Sequence, residues 1–353
     1  GQIFMEKWSN KPANELFAEV RRMPPGQPDA ISPAQAANII AFMLQANGFP
    51  TGPQPFPASE EALSRLIIAT PGVSAAGPVR PPLVIPPRAD SRLDNLTPVT
   101  AEMLGQPSAD DWLHWRRKYD GSGFSPLNQV NRRNVGKLQL AWSWSLPRGD
   151  NMMTPIVHDG VMFTFSHGDV VEALDATNGE LLWRYERKLR PGATFHGKKG
   201  LAIHGEHVFV PTSDMHVLAL NARTGSVVWD HAIDTDDQFD FQIKSSPLIA
   251  GGKVILGING FTGRGGNFIV ALDLATGAEA WRFRTIAQPG EPNGDSWNGQ
   301  PAENRTGGSV WVAGTHDPAL NLVYFGVAPT YNTVPLRELK PGFTNDALYT
   351  NAT

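Results

Sequence analysis

Hydrophobic positions fall at helical spacing over roughly the first fifty residues and in short alternating runs beyond about residue 108. In ANELFAEVRR, 13 to 22, Leu16, Phe17 and Val20 share one face, which predicts a helix that Pro24-Pro25 must end. A second helix is better bounded. Ser32 suits the N-cap, Pro33 the first helical position and Asn47-Gly48 the exit, with Ile39, Ile40, Met43 and Leu44 as a wide apolar stripe. Met23 lies in the loop between the two. From Pro50 to Pro107 the pattern dissolves, because 12 prolines in 58 residues remove too many amide donors for a continuous helix or sheet. An extended connector is expected there, with a short helical piece in SEEALSRLIIA, 59 to 69.

Beyond residue 108, three similar stretches stand 46 and 52 residues apart: ALDATNGELLW ending at Trp183, ALNARTGSVVW at Trp229 and ALDLATGAEAW at Trp281. A period of this length marks a repeat architecture. Each copy predicts an alternating strand that reaches Asp or Asn, turns through a glycine and enters a second strand ending in Trp. Gly179, Gly225 and Gly277 are expected to supply the positive φ of the turn. The runs VMFTFSHG, HVFVPTSD, KVILGING and LVYFGVAP fit the inner strands, and four strands per 45 to 50 residues is what a β-propeller blade requires. The stretch from Asn131 to Thr353 suffices for about 4.5 blades. Four blades would close only by ignoring strand-like beginnings at both ends, so the preferred reading is part of a larger ring whose other blades follow Thr353 or come from a second chain.

Composition narrows the function. The 35 glycines and 30 prolines favour turns over long helices. With 30 Lys+Arg against 34 Asp+Glu, the net charge of −4 offers none of the basic excess that nucleic acid binding needs. The absence of cysteine rules out a disulfide, a thiolate nucleophile, a Cys-ligated zinc and thioether attachment of haem within these residues. No apolar run reaches the length of a membrane helix, and GQIFMEKWSNKP does not read as a signal peptide.

The repeats, together with YDGSGFSPLNQVNRRNVGKLQLAWSWSLP at 119 to 147 and GGSVWVAGTHDPALNLVYFGVAPT at 307 to 330, resemble the quinoprotein alcohol dehydrogenase family over roughly residues 112 to 353. The resemblance implies a mainly β fold, part of an eight-bladed propeller with tryptophan-docking repeats, which carries pyrroloquinoline quinone (PQQ) and a calcium or lanthanide ion. RRMPPGQPDAISPAQAANIIAFMLQANGFPTG is similar to the last part of a class I cytochrome c domain, the arrangement of quinohaemoprotein and polyvinyl-alcohol-dehydrogenase-like enzymes. The expected domains are therefore a cytochrome c-like part over 1–49, a connector over 50–107 and the propeller over 108–353. The resemblance makes Met23 the candidate axial ligand of a haem c whose attachment residues would precede Gly1; a thioether there raises the iron's potential.

A quinone needs a flat apolar platform and donors for its carboxylates and carbonyls. The resemblance places Trp311 as the platform and Ser309 as a hydroxyl donor. Lys199, in KKGLAIHG, stands where the family has an arginine; it keeps the charge and loses the planar fork. Lys244, in FQIKSSP, occupies a threonine position and would pair with a cofactor carboxylate or fill the space. At the metal, the family's glutamate falls at Thr262 and its asparagine near Pro329, so two oxygen donors expected for calcium are replaced. Met152 stands in place of the usual first-blade glutamate. Either Asn259, Asn332 or another loop group substitutes, or the propeller has abandoned the ordinary quinone site. No catalytic base is nominated; Asp169, Asp214 and Asp240 read as turn or strand-end residues.

The implied function is a periplasmic dehydrogenase that oxidises an alcohol or hydroxylated polymer by hydride transfer to PQQ. Its electrons pass to haem c and on to an acceptor cytochrome or respiratory chain. The alternative from a different class is a noncatalytic propeller for binding or assembly that has lost the quinone-metal site. Neither nucleic acid nor a transmembrane segment of this chain enters the reading.

Overall fold

The computed structural model describes residues 4, 8, 10–22, 31–47, 49, 52, 56–68, 91–189, 195–233, 241–260 and 266–353. The chain divides into two compact units, Gly1–Val84 and Ile85–Thr353.

The first unit is helical: α1 Ala13–Arg21, α2 Pro33–Ala46 and α3 Glu60–Ser64. Ser32 forms a capping box at α2. Its hydroxyl accepts from Gln35 N at 3.3 Å, while Gln35 Oε1 accepts from Ser32 N at 2.9 Å. Leu16 and Phe17 of α1 pack against Ala36 and Ile40 of α2, with Leu63 and Ile68 closing the core. The apolar stripe expected on α2 is wider than the face used, since Ile40 is buried while Ile39 and Phe42 are exposed. Met23 lies outside the described residues.

The second unit holds three four-stranded antiparallel sheets. The first contains β1 Ile156–His158, β2 Val161–Ser166, β3 Val170–Asp175 and β4 Leu181–Glu186. The second contains β5 Ala202–His204, β6 His207–Pro211, β7 His216–Asn221 and β8 Val227–Ala232. A short ribbon pairs β9 Phe241–Gln242 with β12 Asn259–Gly260. The third sheet runs β10 Leu248–Ala250, β11 Lys253–Gly257, β13 Phe268–Asp273 and β14 Glu279–Arg284. A hairpin of β15 Thr315–Asp317 and β16 Leu322–Tyr324 begins a fourth. The innermost strands are mostly buried on both faces, completely so in LIA at 248–250, which reads as a continuous apolar run.

The Asp/Asn-to-Gly stretches form the β3–β4, β7–β8 and β13–β14 turns. In each, the Asp or Asn side chain accepts a backbone amide two residues on, and the glycine adopts φ of +74, +71 or +74°. The tryptophan does not end its strand, because each outer strand continues three residues further. A bulge at Ala173/Leu174, and equivalently at Ala219/Leu220 and Ala271/Leu272, adds one residue to the outer strand just before the tryptophan. The indole then docks on the next sheet. Trp183 Nε1 donates to Ala222 O at 2.8 Å and Trp229 Nε1 to Leu274 O at 3.1 Å, each carbonyl belonging to the residue after the turn's Asn or Asp. Trp142 repeats the contact on Ala176 O at 3.1 Å, although no such repeat stretch precedes it. A Cβ on Gly179, Gly225 or Gly277 would stand 2.5, 2.6 or 2.7 Å from the docked ring, so glycine is required there by packing as well as by φ.

At the inner ends the units join edge to edge. Thr154 N donates to Lys199 O at 3.0 Å and Lys199 N to Lys244 O at 3.1 Å, so the entries to three successive sheets surround a common axis. Together with the outer indole contacts, this is the radial packing of a propeller.

A strap over residues 91–120, containing α4 Ala101–Gly105, closes the outside. Trp112 pairs with Val157, Val99 with Gly205, and Arg223 donates to the carbonyls of Leu93 and Leu96. His158 is fully buried beneath it. Its Nδ1 faces Asp111 Oδ2 at 3.1 Å and its Nε2 faces Thr97 O at 2.9 Å, so both ring nitrogens meet acceptors and the protonated ring satisfies both. Burial works against that charge, but the hydrogen bond and charge of Asp111, then Asp159, outweigh it and hold the pKa above the ordinary value. The contribution to stability is therefore complete below the unfolded pKa of about 6.5 and disappears as pH rises through the elevated folded value. Asp111→Asn keeps an acceptor but removes the charge; it is expected to cost about 1 kcal/mol at pH 6 and to flatten the alkaline decline in stability. Urea unfolding across pH 5 to 9 measures both, and an unchanged decline in the variant would remove His158 as its source.

Candidate functional site

The GGSVW stretch reaches the axis because two glycines let it thread between neighbours. Gly307 and Gly308 adopt φ of +100 and +66°, and a Cβ on Gly308 would press on Thr285 O at 2.9 Å. Thr285 Oγ1 donates to Gly308 O at 2.5 Å, and Val310, fully buried, donates through its N–H to Ile258 O at 3.1 Å. With Val310 anchored, the next side chain turns the opposite way. Trp311 is accordingly 47% exposed, which is unusual for a tryptophan flanked by a sealed core.

Lys199 reaches the same place from the entry to the second sheet. Its Nζ stands 5.2 Å from the centroid of the Trp311 ring. A cation over an open indole face, joined across 112 positions of sequence, is the central geometric fact of the site. Ser246 Oγ is buried without a hydrogen-bond partner and stands where a Cβ on Gly200, next to Lys199, would sit. An open aromatic plane and an ammonium group together suit a flat, anionic ligand.

The remaining candidates are placed less directly. Lys244 meets Lys199 through its backbone carbonyl, and its side chain is half-buried. Ser309 is buried with its hydroxyl against Tyr331 Oη, so it braces the segment that carries Trp311. Met152 packs over Gly197, close to where a Cβ would sit. Thr262 and Asp240 lie outside the described residues.

On the metal side, Pro329 contributes only a backbone carbonyl, to which Gly308 N donates at 3.4 Å, and Asn332 Oδ1 accepts from Val334 N at 3.1 Å. Pro329 therefore brings no side-chain oxygen of the kind calcium takes, and Asn332 Oδ1 is already engaged with its own loop. Among the described residues one cluster of potential ligands does occur, Asp111, His158 and Asp159, but its atoms are engaged with one another and with Thr97 at the outer strap.

Sequence reasoning missed a buried network behind Lys199. Lys198 Nζ donates to His196 O at 3.1 Å and to Ser213 Oγ at 3.0 Å, and Ser213 Oγ donates to Asp169 Oδ1 at 2.8 Å. The signal available was the adjacent pair Lys198-Lys199, since neighbours in an extended segment face opposite sides. Asp169 does occupy a turn, with φ of +50°, but its carboxylate is buried, and burial raises its pKa. Asp214 is held by Arg187 Nη2 at 2.9 Å.

The radial stacking of the sheets has counterparts among known proteins. Residues 112–335, more than half of it, fit the PQQ family described as glucose/ethanol/alcohol dehydrogenase, beta-propeller domain, and the chain belongs to that family. The dehydrogenase subunit of the alcohol dehydrogenase (quinone) of Gluconobacter oxydans is 35% identical over 271 residues, 68% of this chain and 35% of that protein. Quinohemoprotein alcohol dehydrogenase ADH-IIG of Pseudomonas putida is 36% identical over 237 residues, 62% of this chain and 32% of its own. The solved structure of ADHIIG from Pseudomonas putida HK5 superposes with a TM-score of 0.59 at 31% identity, covering 67% of this chain and 37% of that one. A europium-containing methanol dehydrogenase gives 0.57 at 26% identity, over 63% and 43%. The chain thus spans about a third of the length of the curated relatives it matches.

Proposed function

We propose that the protein is a quinone-dependent dehydrogenase that oxidises an alcohol or a hydroxylated polymer, with PQQ seated at the propeller axis. The observation that carries this reading is the Lys199 ammonium over the half-open face of Trp311. When bound, the cofactor supplies an ortho-quinone that takes two electrons from an alcohol carbon. Trp311 offers the apolar plane on which a flat ring system stacks and from which water is excluded. Lys199 supplies positive charge at that plane and favours the cofactor's anionic groups. Ser246 has a hydroxyl to donate, and Lys244 stands at the entry to the third sheet as a second source of positive charge. Ser309 keeps Trp311 in place through Tyr331.

The helical unit is assigned as the closing part of a c-type haem domain, with Met23 as iron ligand, which would carry electrons onward to an acceptor cytochrome or respiratory chain. The quinohemoprotein relative supports the presence of haem beside the quinone, and a periplasmic location is part of the same proposal. Calcium or a lanthanide would have to draw on Thr262 or on groups other than Pro329 and Asn332. Among the described residues no helix is long and apolar enough to cross a membrane.

Mass spectrometry of cofactor extracted from the full-length protein, with metal analysis and dye reduction by primary and secondary alcohols, tests the reading. PQQ at near-stoichiometric amount and alcohol-dependent dye reduction are expected. A protein that neither contains nor takes up PQQ would instead be a propeller used for binding or assembly.

A further inference from the structure

Two adjacent lysines have different surroundings. Lys199 faces the axis and Trp311, whereas Lys198 is 3% exposed and points back between the first and second sheets. There its ammonium meets His196 O from its own segment and Ser213 Oγ from the turn between β6 and β7. Ser213 relays to Asp169, in the turn between β2 and β3, through both its hydroxyl and its backbone N–H. The segment from His196 to Gly200 is thereby tied to two neighbouring turns, within one residue of the cation at the proposed quinone plane. Ser213 Oγ also accepts from His196 N at 3.1 Å, and at its other end the segment is held by the backbone bonds of Lys199 to Thr154 and Lys244.

We propose that Lys198 is a positioning residue: with Ser213 and Asp169 it clamps the 196–200 segment so that Lys199 stands over Trp311. Insofar as the clamp serves a quinone it rests on the function proposed above, but its action on the Lys199–Trp311 contact does not. A buried ammonium is a costly way to fill this space; removing it alone would leave the Asp169 carboxylate buried without that cation, whereas replacing both charges by neutral groups of similar size would cost little. What the charge adds is a fixed set of directed bonds to His196 O and Ser213 Oγ.

The clamp should also respond to pH. The charged groups that face Lys198 are Asp169 and Asp214, which favour its proton, and Lys244, which opposes it. Burial dominates and draws the pKa down to about 8. Above that value the ammonium loses its charge, its hydrogen bonds weaken, and Lys199 is released from its place.

The test uses full-length protein labelled with 5-fluorotryptophan, the Trp311 resonance being identified by its loss in Trp311→Phe. Lys199→Met, which removes the cation directly, gives the reference displacement of that resonance. Lys198→Met and Ser213→Ala are expected to move it the same way with a lowered thermal midpoint, and Lys198→Met combined with Asp169→Asn, which leaves no buried carboxylate without its cation, to move it with the midpoint within a few degrees of wild type. In the wild type the same displacement should set in as pH rises through about 8, and Lys198→Met should show no such step. PQQ titrations on the same proteins should show a Kd weakened several-fold, up to the roughly tenfold expected for Lys199→Met, for both clamp variants. A Trp311 resonance unmoved in Lys198→Met and Ser213→Ala overturns the proposal, as does a displacement that appears only with a collapse of the thermal midpoint. Failure of the wild type to bind PQQ would defeat the proposed function alone, since the fluorine signal still decides the clamp.

Discussion

Trp183→Ala is expected to lower the unfolding free energy by about 4 kcal/mol, whereas Trp281→Ala, the same substitution at the same place in the repeat, should cost about 1 kcal/mol. The difference lies in what each ring meets. Trp183 is 5% exposed, lies 5.9 Å from Phe163 between ring centroids, rests on Gly225 and satisfies Ala222 O. Its removal leaves a cavity between two sheets that the rigid turn cannot fill, and it orphans a carbonyl. Trp281 is 40% exposed beside a groove formed with Ile269, Phe283 and Val323, so its removal widens an open groove in place of leaving a closed cavity. Gly225→Ala approaches the same interface from the other side. Its Cβ would stand 2.6 Å from Trp183 Cε3 at φ of +71°, and about 2 kcal/mol of strain and displaced ring is expected. Urea unfolding of the three variants measures the differences, and equal costs at Trp183 and Trp281 would refute the docking account.

The turns were legible because each is a local device. An Asp or Asn that caps its own backbone, a glycine at positive φ and a β-rich flank leave their mark within eleven residues, as in ALDATNGELLW. That the tryptophans dock came from the resemblance and not from local pattern, because Trp183 and Trp229 each serve the following sheet and the choice of partner is set by how the sheets stack. Trp142 shows this most clearly: it docks like the others, yet lacks the strand-turn stretch that announces them. The same limit hid the strap, where Asp111 and His158 meet from 47 positions apart.

At the axis, resemblance did what spacing alone could not. Nothing in the neighbourhood of Lys199 or Trp311 indicates that they meet, since the contact depends on three sheet entries converging. Lys198 escaped because composition cannot separate two adjacent lysines, one at the axis and one sealed among Ser213, His196 and Asp169. Thr262 and Met23, the metal and haem candidates, lie outside the described residues. The lone prolyl carbonyl at Pro329 is compatible with the altered metal side inferred from the residue types.

Trp311→Ala is expected to weaken PQQ binding about a hundredfold, or about 2.8 kcal/mol at 1.4 kcal/mol per tenfold. That is the range in which stacking of a planar heterocycle on an aromatic side chain lies, about 1 to 3 kcal/mol, and Trp311 has half its surface free to stack. Trp311→Phe keeps a smaller plane and should lose about tenfold. Lys199→Met removes the cation and should cost about tenfold, more at low ionic strength, because the charge sits at a partly open site. Lys199→Arg keeps the charge in another shape and should retain most of the affinity. The two residues touch, so their effects should not add: with the indole gone, the lysine loses the surface that orients it, and the double variant should bind more tightly than the two single losses multiplied together. Fluorescence titration of the apo-protein, checked by calorimetry, gives all five constants. Wild-type affinity in Trp311→Ala would place any quinone elsewhere. Simple multiplication in the double variant would mean that the two groups act on the cofactor independently, so the indole would not be what holds Lys199 in place.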